Sequence, residues 1–201
     1  EPHPDAQPEL QSLLYSSLSK SWRVFGVTEK ATTCTQLALS LAEKSGNPDV
    51  ECEAHNMAIW INWDAREHEQ VLAHHRQLLT RGALGNSAKW DMLHKFFLTY
   101  FGNRIKTDEN PIEAGKRAIQ LANTLGFPRR QATIHQTMGN YVRDMKGDIG
   151  EAIAHYTESV RIFDEIGDLR SSTYAKNAHA MALAINGNFD KAGPMLDEIS
   201  D

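Results

Sequence analysis

Two cysteines in 201 residues, Cys34 and Cys52, fit neither a disulfide framework nor a metal motif, and they read as reduced thiols of an intracellular protein. No apolar run approaches the roughly 18–20 residues of a membrane span. Neither a basic start nor an apolar stretch marks a signal peptide. Positive charge is in deficit: 21 Lys and Arg face 26 Asp and Glu, a net charge of −5. Such a chain has no field to hold a polyanion, so direct nucleic-acid binding by this segment is not expected. Strand signals are nearly absent, with no alternating run of Val, Ile, Thr or aromatics bounded by turn residues. Catalytic signatures are missing too: there is no Gly-x-Ser-x-Gly, no Gly-rich phosphate loop and no Cys beside a plausible His partner. Paired carboxylates such as Asp164-Glu165 and Asp197-Glu198 lie beside turns and read as solvated. We therefore expect neither an enzyme nor a cofactor.

What the chain does have is helical periodicity almost throughout. Apolar residues recur at three and four in Leu37, Ala38, Leu41 and Ala42, in Ile119, Ala122 and Leu125, and in Ile153, Tyr156, Val160 and Phe163. A 41% apolar content is enough for a sizeable core. The helices also repeat. Leu41-Ala-Glu-Lys-Ser-Gly46, Leu121-Ala-Asn-Thr-Leu-Gly126 and Ile162-Phe-Asp-Glu-Ile-Gly167 end alike, with Gly126 and Gly167 41 residues apart and Gly46 80 before Gly126. Gly85 lies near the middle mark. Gly26, Gly147 and Gly187 form a second set of turns, with Arg66 and Lys106 at the intervening steps of 40. Five residues after each of these glycines comes Ala31, Ala152 or Ala192, a small residue where two helices can cross closely. Each period thus holds two helices, and because one hairpin cannot bury its apolar face, hairpins must stack.

These residues resemble the tetratricopeptide repeats. Met138-Gly-Asn-Tyr, Lys146-Gly-Asp and Glu151-Ala-Ile-Ala-His-Tyr156 make the best match. Leu18-Ser-Lys-Ser-Trp22 with Gly26 and Glu29-Lys-Ala31 make a second, and Asn186-Gly-Asn-Phe-Asp-Lys-Ala192 a third. The period of about 40 exceeds the usual 34, and this long form is similar to the helical-repeat regions of bacterial signal-transduction ATPases, LuxR-type transcription regulators and peptide-sensing regulators. The resemblance implies an all-α, right-handed solenoid of about five hairpins over residues 10–201, with repeats at 10–47, 48–86, 87–127, 128–168 and 169–201. The repeat beginning near Asn86 matches worst and has a longer turn through Asn103–Asn110. Three prolines in the first eight positions make residues 1–9 an extended linker. The last repeat looks truncated, with Gly193-Pro194 interrupting a second helix of about a dozen residues, and we expect a piece of a longer cytoplasmic protein.

Histidine and tryptophan stand out. His68, His74 and His75 cluster, but His68 and His75 are seven apart, about 10 Å along a helix axis, too far to share an ion. Glu51 and His55 have metal spacing, as do many chance pairs, so solvated helix faces explain these residues and no metal site is expected. His55, His94 and His135 each lie nine residues after Gly46, Gly85 and Gly126. This repeated position is either a ladder that senses pH or binds anions, or a spacer that tolerates half-buried polar groups, as Lys176 at the equivalent step favours. Trp22 falls at a packing position. Trp60 and Trp63 share a face, as packing residues or with one exposed as a binding anchor.

In the resembling family, the first helices of successive repeats line a concave face that holds peptides or protein tails. Carried over through Met138-Gly139, the inward positions are Thr133, Gln136, Asn140 and Arg143. The equivalent steps add His55, Ile59, Asn62 and Trp63 before them, then Lys95 and Thr99, and later Asn177 and Met181. Gly139 to Gly147 is one residue longer than the family spacing. Asn and Gln can pair with an extended backbone, and Lys95 and Arg143 can attract a carboxylate. The family's carboxylate clamp fits poorly, with Ile59 and Met181 where it needs polar groups. The expected partner is a protein or peptide, or a small effector. The alternative is a scaffold that forms homo-oligomers through open repeat ends.

Overall fold

The computed structural model describes residues 7–85, 88–102 and 109–200. Among them there is helix and turn and no strand: α1 (Pro8–Val24), α2 (Thr28–Ser45), α3 (Pro48–Asp64), α4 (His68–Gly85), α5 (Ala88–Phe101), α6 (Pro111–Thr124), α7 (Pro128–Tyr141), α8 (Ile149–Glu165), α9 (Leu169–Ile185) and α10 (Phe189–Ser200). Proline opens α1, α3, α6 and α7, where its missing N–H has no helical partner to lose. The α1 helix therefore starts at Pro8, inside the expected linker, whose residues 1–6 lie outside the described residues. Asn47, Asn110, Asp148 and Asp168 cap the helices that follow them, each accepting a backbone N–H of the first turn. Most of the long turn, residues 103–108, and Asn86 also lie outside the described residues.

The glycine turns have a backbone reason. Gly26, Gly147 and Gly187 sit at φ of 73°, 69° and 80°, in the left-handed region. Arg66, one step of 40 after Gly26, takes φ of 63° with a side chain attached, the one described non-glycine residue to do so. Its turn closes like that of Gly26: Glu67 N–H donates to Asn62 O at 2.8 Å, as Val27 N–H does to Trp22 O at 2.9 Å.

The chain forms two compact units, residues 1–94 and 95–201, divided inside α5. In the first, Ala38 and Ala42 of α2 pack on Val50 and Ala54 of α3, with Tyr15 and Leu39 at the margin. Buried serines fasten α1 to α2: Ser12 donates to Ala38 O at 2.8 Å and Ser19 to Ala31 O at 2.9 Å. The same device recurs in the second unit, where Ser159 of α8 donates to Ala132 O of α7 at 2.9 Å. There Ala132, Ile162, Phe163 and Ala175 form one cluster, and Val142, Ala152, Tyr156 and Ala182 another, drawing α7, α8 and α9 together. Gly139 lets the Tyr156 ring approach α7: a Cβ there would meet the ring at 2.7 Å. Ala31, Ala152 and Ala192 are all buried, as close crossings require.

Two local expectations change. The α10 helix runs through Pro194 without interruption. The extra residue between Gly139 and Gly147 is absorbed as a single π turn, Val142–Lys146, at the end of α7, which keeps Val142 buried and Gly147 at its left-handed position.

Candidate functional site

In the second unit, α7 and the π turn that ends it bring Ile134, Met138 and Val142 into the core and leave Thr133, Gln136, Asn140 and Arg143 half-buried along the opposite side. The partner helix α9 buries Ala175 and Ala182 against α7 and α8, and exposes Asn177 and Met181, the latter at 51%. Tyr174, 60% exposed, extends that stripe. Sequence reasoning missed Tyr174, although its spacing of three and seven from Asn177 and Met181 is the signal that finds it. Packing through small residues thus leaves a polar face on α7 and a mixed stripe on α9, the two helices that pack on α8.

This surface is internally braced. The Tyr156 hydroxyl donates to Asn140 Oδ1 at 2.8 Å, and burial pushes the phenol up to about 12, so it stays a neutral donor. Arg143 does not stand as an unpaired cation: its Nε donates to Asp144 Oδ1 at 2.7 Å with 22% of the side chain exposed, and this bond raises the guanidinium pKa. Thr133 gives its hydroxyl to Arg129 O at 2.9 Å.

Lys95 is likewise engaged, 2.6 Å from Glu109 with 19% of its side chain exposed. The expectation of two cations waiting for a carboxylate is corrected on this point, because both already hold carboxylates of their own chain. Thr99 is buried and contacts Pro111 O at 2.8 Å and Lys95 O at 3.1 Å. Ile59 is also buried, enclosed with most of α3, so neither Thr99 nor Ile59 offers surface to a partner. In the first unit, Asn62 is half-buried and Trp63 rests against the His68 ring, centroids 5.3 Å apart. Trp60 lies under the Arg23 guanidinium at 5.1 Å, and Arg23 pairs with Asp64 at 2.5 Å. Trp22 stacks under Lys30 at 4.5 Å, and Trp90 is buried with its indole N–H on Asp49.

The histidines behave differently from solvated side chains. His55 of α3 and His74 of α4 share a hydrogen bond at 3.0 Å between Nδ1 atoms. The next residue, His75, meets His94 of α5 at 3.0 Å, and His135 of α7 meets His155 of α8 at 3.1 Å. Thr157 of α8 approaches His179 of α9 at 3.4 Å. Burial pushes His55, His75 and His135 down to about 4, with the paired ring as the next cause, and it lowers His74, His155 and His179 as well. The solvated-face expectation fails for His74 and His75 because both turn toward neighbouring helices.

The arrangement can hydrogen-bond and pack. It activates no described thiol: burial, with Asp49 next, pushes Cys52 up to about 12, and burial also raises Cys34. Among the described residues no helix is long and apolar enough to cross a membrane.

No family model matches the sequence, and no curated protein matches it. Solved structures do match its fold. One is a signal transduction ATPase with numerous domains, carrying a tetratricopeptide repeat sensor, from Pyrococcus horikoshii: TM-score 0.69, 14% identity, 97% of this chain and 30% of that chain covered. Another is pilF of Pseudomonas aeruginosa: TM-score 0.66, 17% identity, 97% of this chain and 78% of that one. The chain spans under a third of the length of the first. At such identities the likeness establishes fold, and the fold is an all-α, tetratricopeptide-like stack of helix hairpins.

Proposed function

We propose that the chain is a non-catalytic interaction module, the sensor domain of a larger cytoplasmic regulator of transcription or signalling in bacteria. It binds an extended peptide segment, or a small effector with similar polar groups, on the α7–α9 surface. The observation that carries this reading is the polar face of α7 together with the exposed Tyr174, Asn177 and Met181 of α9, both helices packing on α8. Gln136, Asn140 and Asn177 supply paired donors and acceptors for a peptide backbone, and Tyr174 and Met181 supply apolar contact. The likeness to a chain with a tetratricopeptide repeat sensor supports the regulatory part.

The test is a binding peptide selected from a random phage-displayed library on the purified chain, with affinity read by fluorescence anisotropy. Gln136→Ala with Asn177→Ala, and separately Met181→Ala, are expected to weaken it by about ten-fold or more. Affinity unchanged in both variants refutes the surface.

A second reading, a self-associating scaffold, is favoured by one observation: Leu10, Leu13, Leu14 and Leu18 of α1 are exposed on the first helix. Light scattering over a concentration series separates the two, since a monomer at every concentration excludes the scaffold.

A further inference from the structure

His135 and His155 join α7 to α8 with Nδ1 atoms 3.1 Å apart and ring centroids 5.3 Å apart, tilted by 48°. Two neutral rings at that distance share one proton. The same separation suits two nitrogens on one ion: with bonds of about 2.0–2.1 Å, the angle at the metal is roughly 100°, between square-planar and tetrahedral values. Within α8, Glu151 precedes His155 by four residues and Glu158 follows it by three, which puts both carboxylates on the histidine's side of the helix. Both act on the pair electrostatically, Glu151 on His155 and Glu158 on His135. Against them stand Lys146, 3.9 Å from Glu151, Arg161, 2.9 Å from Glu158, and Lys116 of α6, which faces His155. The His55–His74 pair has one carboxylate at helical spacing, Glu51 four residues before His55, and Arg81 holds it at 2.7 Å and acts on His55, so this pair serves as an internal comparison. Among the described residues no three His, Cys, Asp or Glu side chains are already gathered as a ligand set, so a third protein ligand has to swing in.

We infer that His135 and His155 form a two-nitrogen site for a borderline divalent cation (Cu²⁺, Ni²⁺ or Zn²⁺), with Glu158 turning from Arg161 to supply a carboxylate oxygen and water completing the shell. The expectation of no metal site came from spacings along one helix, whereas this site spans two. Proton accounting is simple. The shared proton leaves Nδ1 and the former donor ring is protonated at Nε2 instead, so the ion meets two neutral rings and no net proton is released. The bound ion ties the two helices of one hairpin and stabilises the second unit in proportion to its concentration.

The experiment uses the tag-free chain titrated with Cu²⁺, Ni²⁺ and Zn²⁺ in turn by calorimetry, with Cu²⁺ electron paramagnetic resonance to count nitrogen ligands. One saturable site with two imidazole nitrogens is expected in the wild type, lost in His135→Gln and in His155→Gln and retained in His55→Gln. Glu158→Gln is expected to weaken it about ten-fold, and Arg161→Gln, which frees Glu158 and leaves both rings in place, to tighten it. The Glu158 and Arg161 variants keep the inference testable if a histidine variant fails to fold. Absence of saturable binding in the wild type overturns it, as does binding that survives both histidine substitutions.

Discussion

Acidification should loosen the first unit before ordinary carboxylate titration begins. His55 and His75 are held at about 4 against an ordinary value of 6.5, by burial first and then by the partner ring, with Arg81 adding to the effect at His55 and a hydrogen bond with His94 opposing it at His75. Their folded pKa values are depressed, so the unfolded chain binds more protons and stability rises with pH across this window. The contribution is complete above about pH 6.5 and is lost as pH falls toward 4. With a ring held at about 4 against 6.5, each costs about 1 kcal/mol at pH 5.5 and about 2 kcal/mol at pH 5. Together they remove about 4 kcal/mol at pH 5, a large part of the roughly 5–15 kcal/mol that holds a domain folded. All four tryptophans, Trp22, Trp60, Trp63 and Trp90, precede residue 95, so indole fluorescence reports the first unit by itself. With an m-value near 2 kcal/mol/M, the urea midpoint read by fluorescence should fall by about 2 M between pH 7.5 and pH 5. A variant with His55→Gln and His75→Gln should show a shallower dependence. A wild-type midpoint that hardly moves over this range refutes the reasoning, and so does a double variant that keeps the wild-type slope.

Two further substitutions test the packing account. Arg66→Gly relieves a side chain held at φ of 63° and should stabilise the protein by about 1 kcal/mol, raising Tm by roughly 2–4 °C; an unchanged or lower Tm means the turn carries no strain. Gly139→Ala places a Cβ 2.7 Å from the Tyr156 ring, and that ring is held by its bond to Asn140. Overpacking of about 1–3 kcal/mol should outweigh the roughly 1 kcal/mol that alanine gains in a helix, lowering the urea midpoint. Adding Tyr156→Leu should lessen the clash, and a stabilised single variant would contradict the close approach.

The period and its turns were legible because their causes are local. A left-handed residue must end each first helix, and a small residue must follow where the hairpin crosses. The step of 40 from Gly26 therefore led to Arg66, which takes the glycine conformation without being glycine. What covers a face is not local. Ile59 and Thr99 carry suitable spacing for an inner surface, yet each lies beneath neighbouring elements and is buried. Lys95 is neutralised by Glu109 from a turn fourteen residues away, and Arg143 by Asp144 beside it on the π turn. One extra residue before Gly147 was visible as a count, but only the backbone shows that a π turn takes it up.

The histidines show how that gap narrows. A search for pairs at three or four residues looks along one helix, whereas these pairs join neighbouring helices at separations of 19, 19 and 20. Such a separation follows from the repeat for residues near mid-helix, because the midpoints of neighbouring helices lie about half a period apart; toward the ends of an antiparallel pair it widens or narrows, to 26 for Ser12 with Ala38 and 12 for Ser19 with Ala31. Lys176 with Glu198 and Thr157 with His179 obey it nearly as well, at 22. Once a period of about 40 is established, a polar residue near the middle of a helix and its counterpart roughly half a period later are candidates for contact. On that rule His55 with His74, His75 with His94, and His135 with His155 are readable from the chain alone, and a repeated polar position that looks solvated along one helix becomes a joint between two.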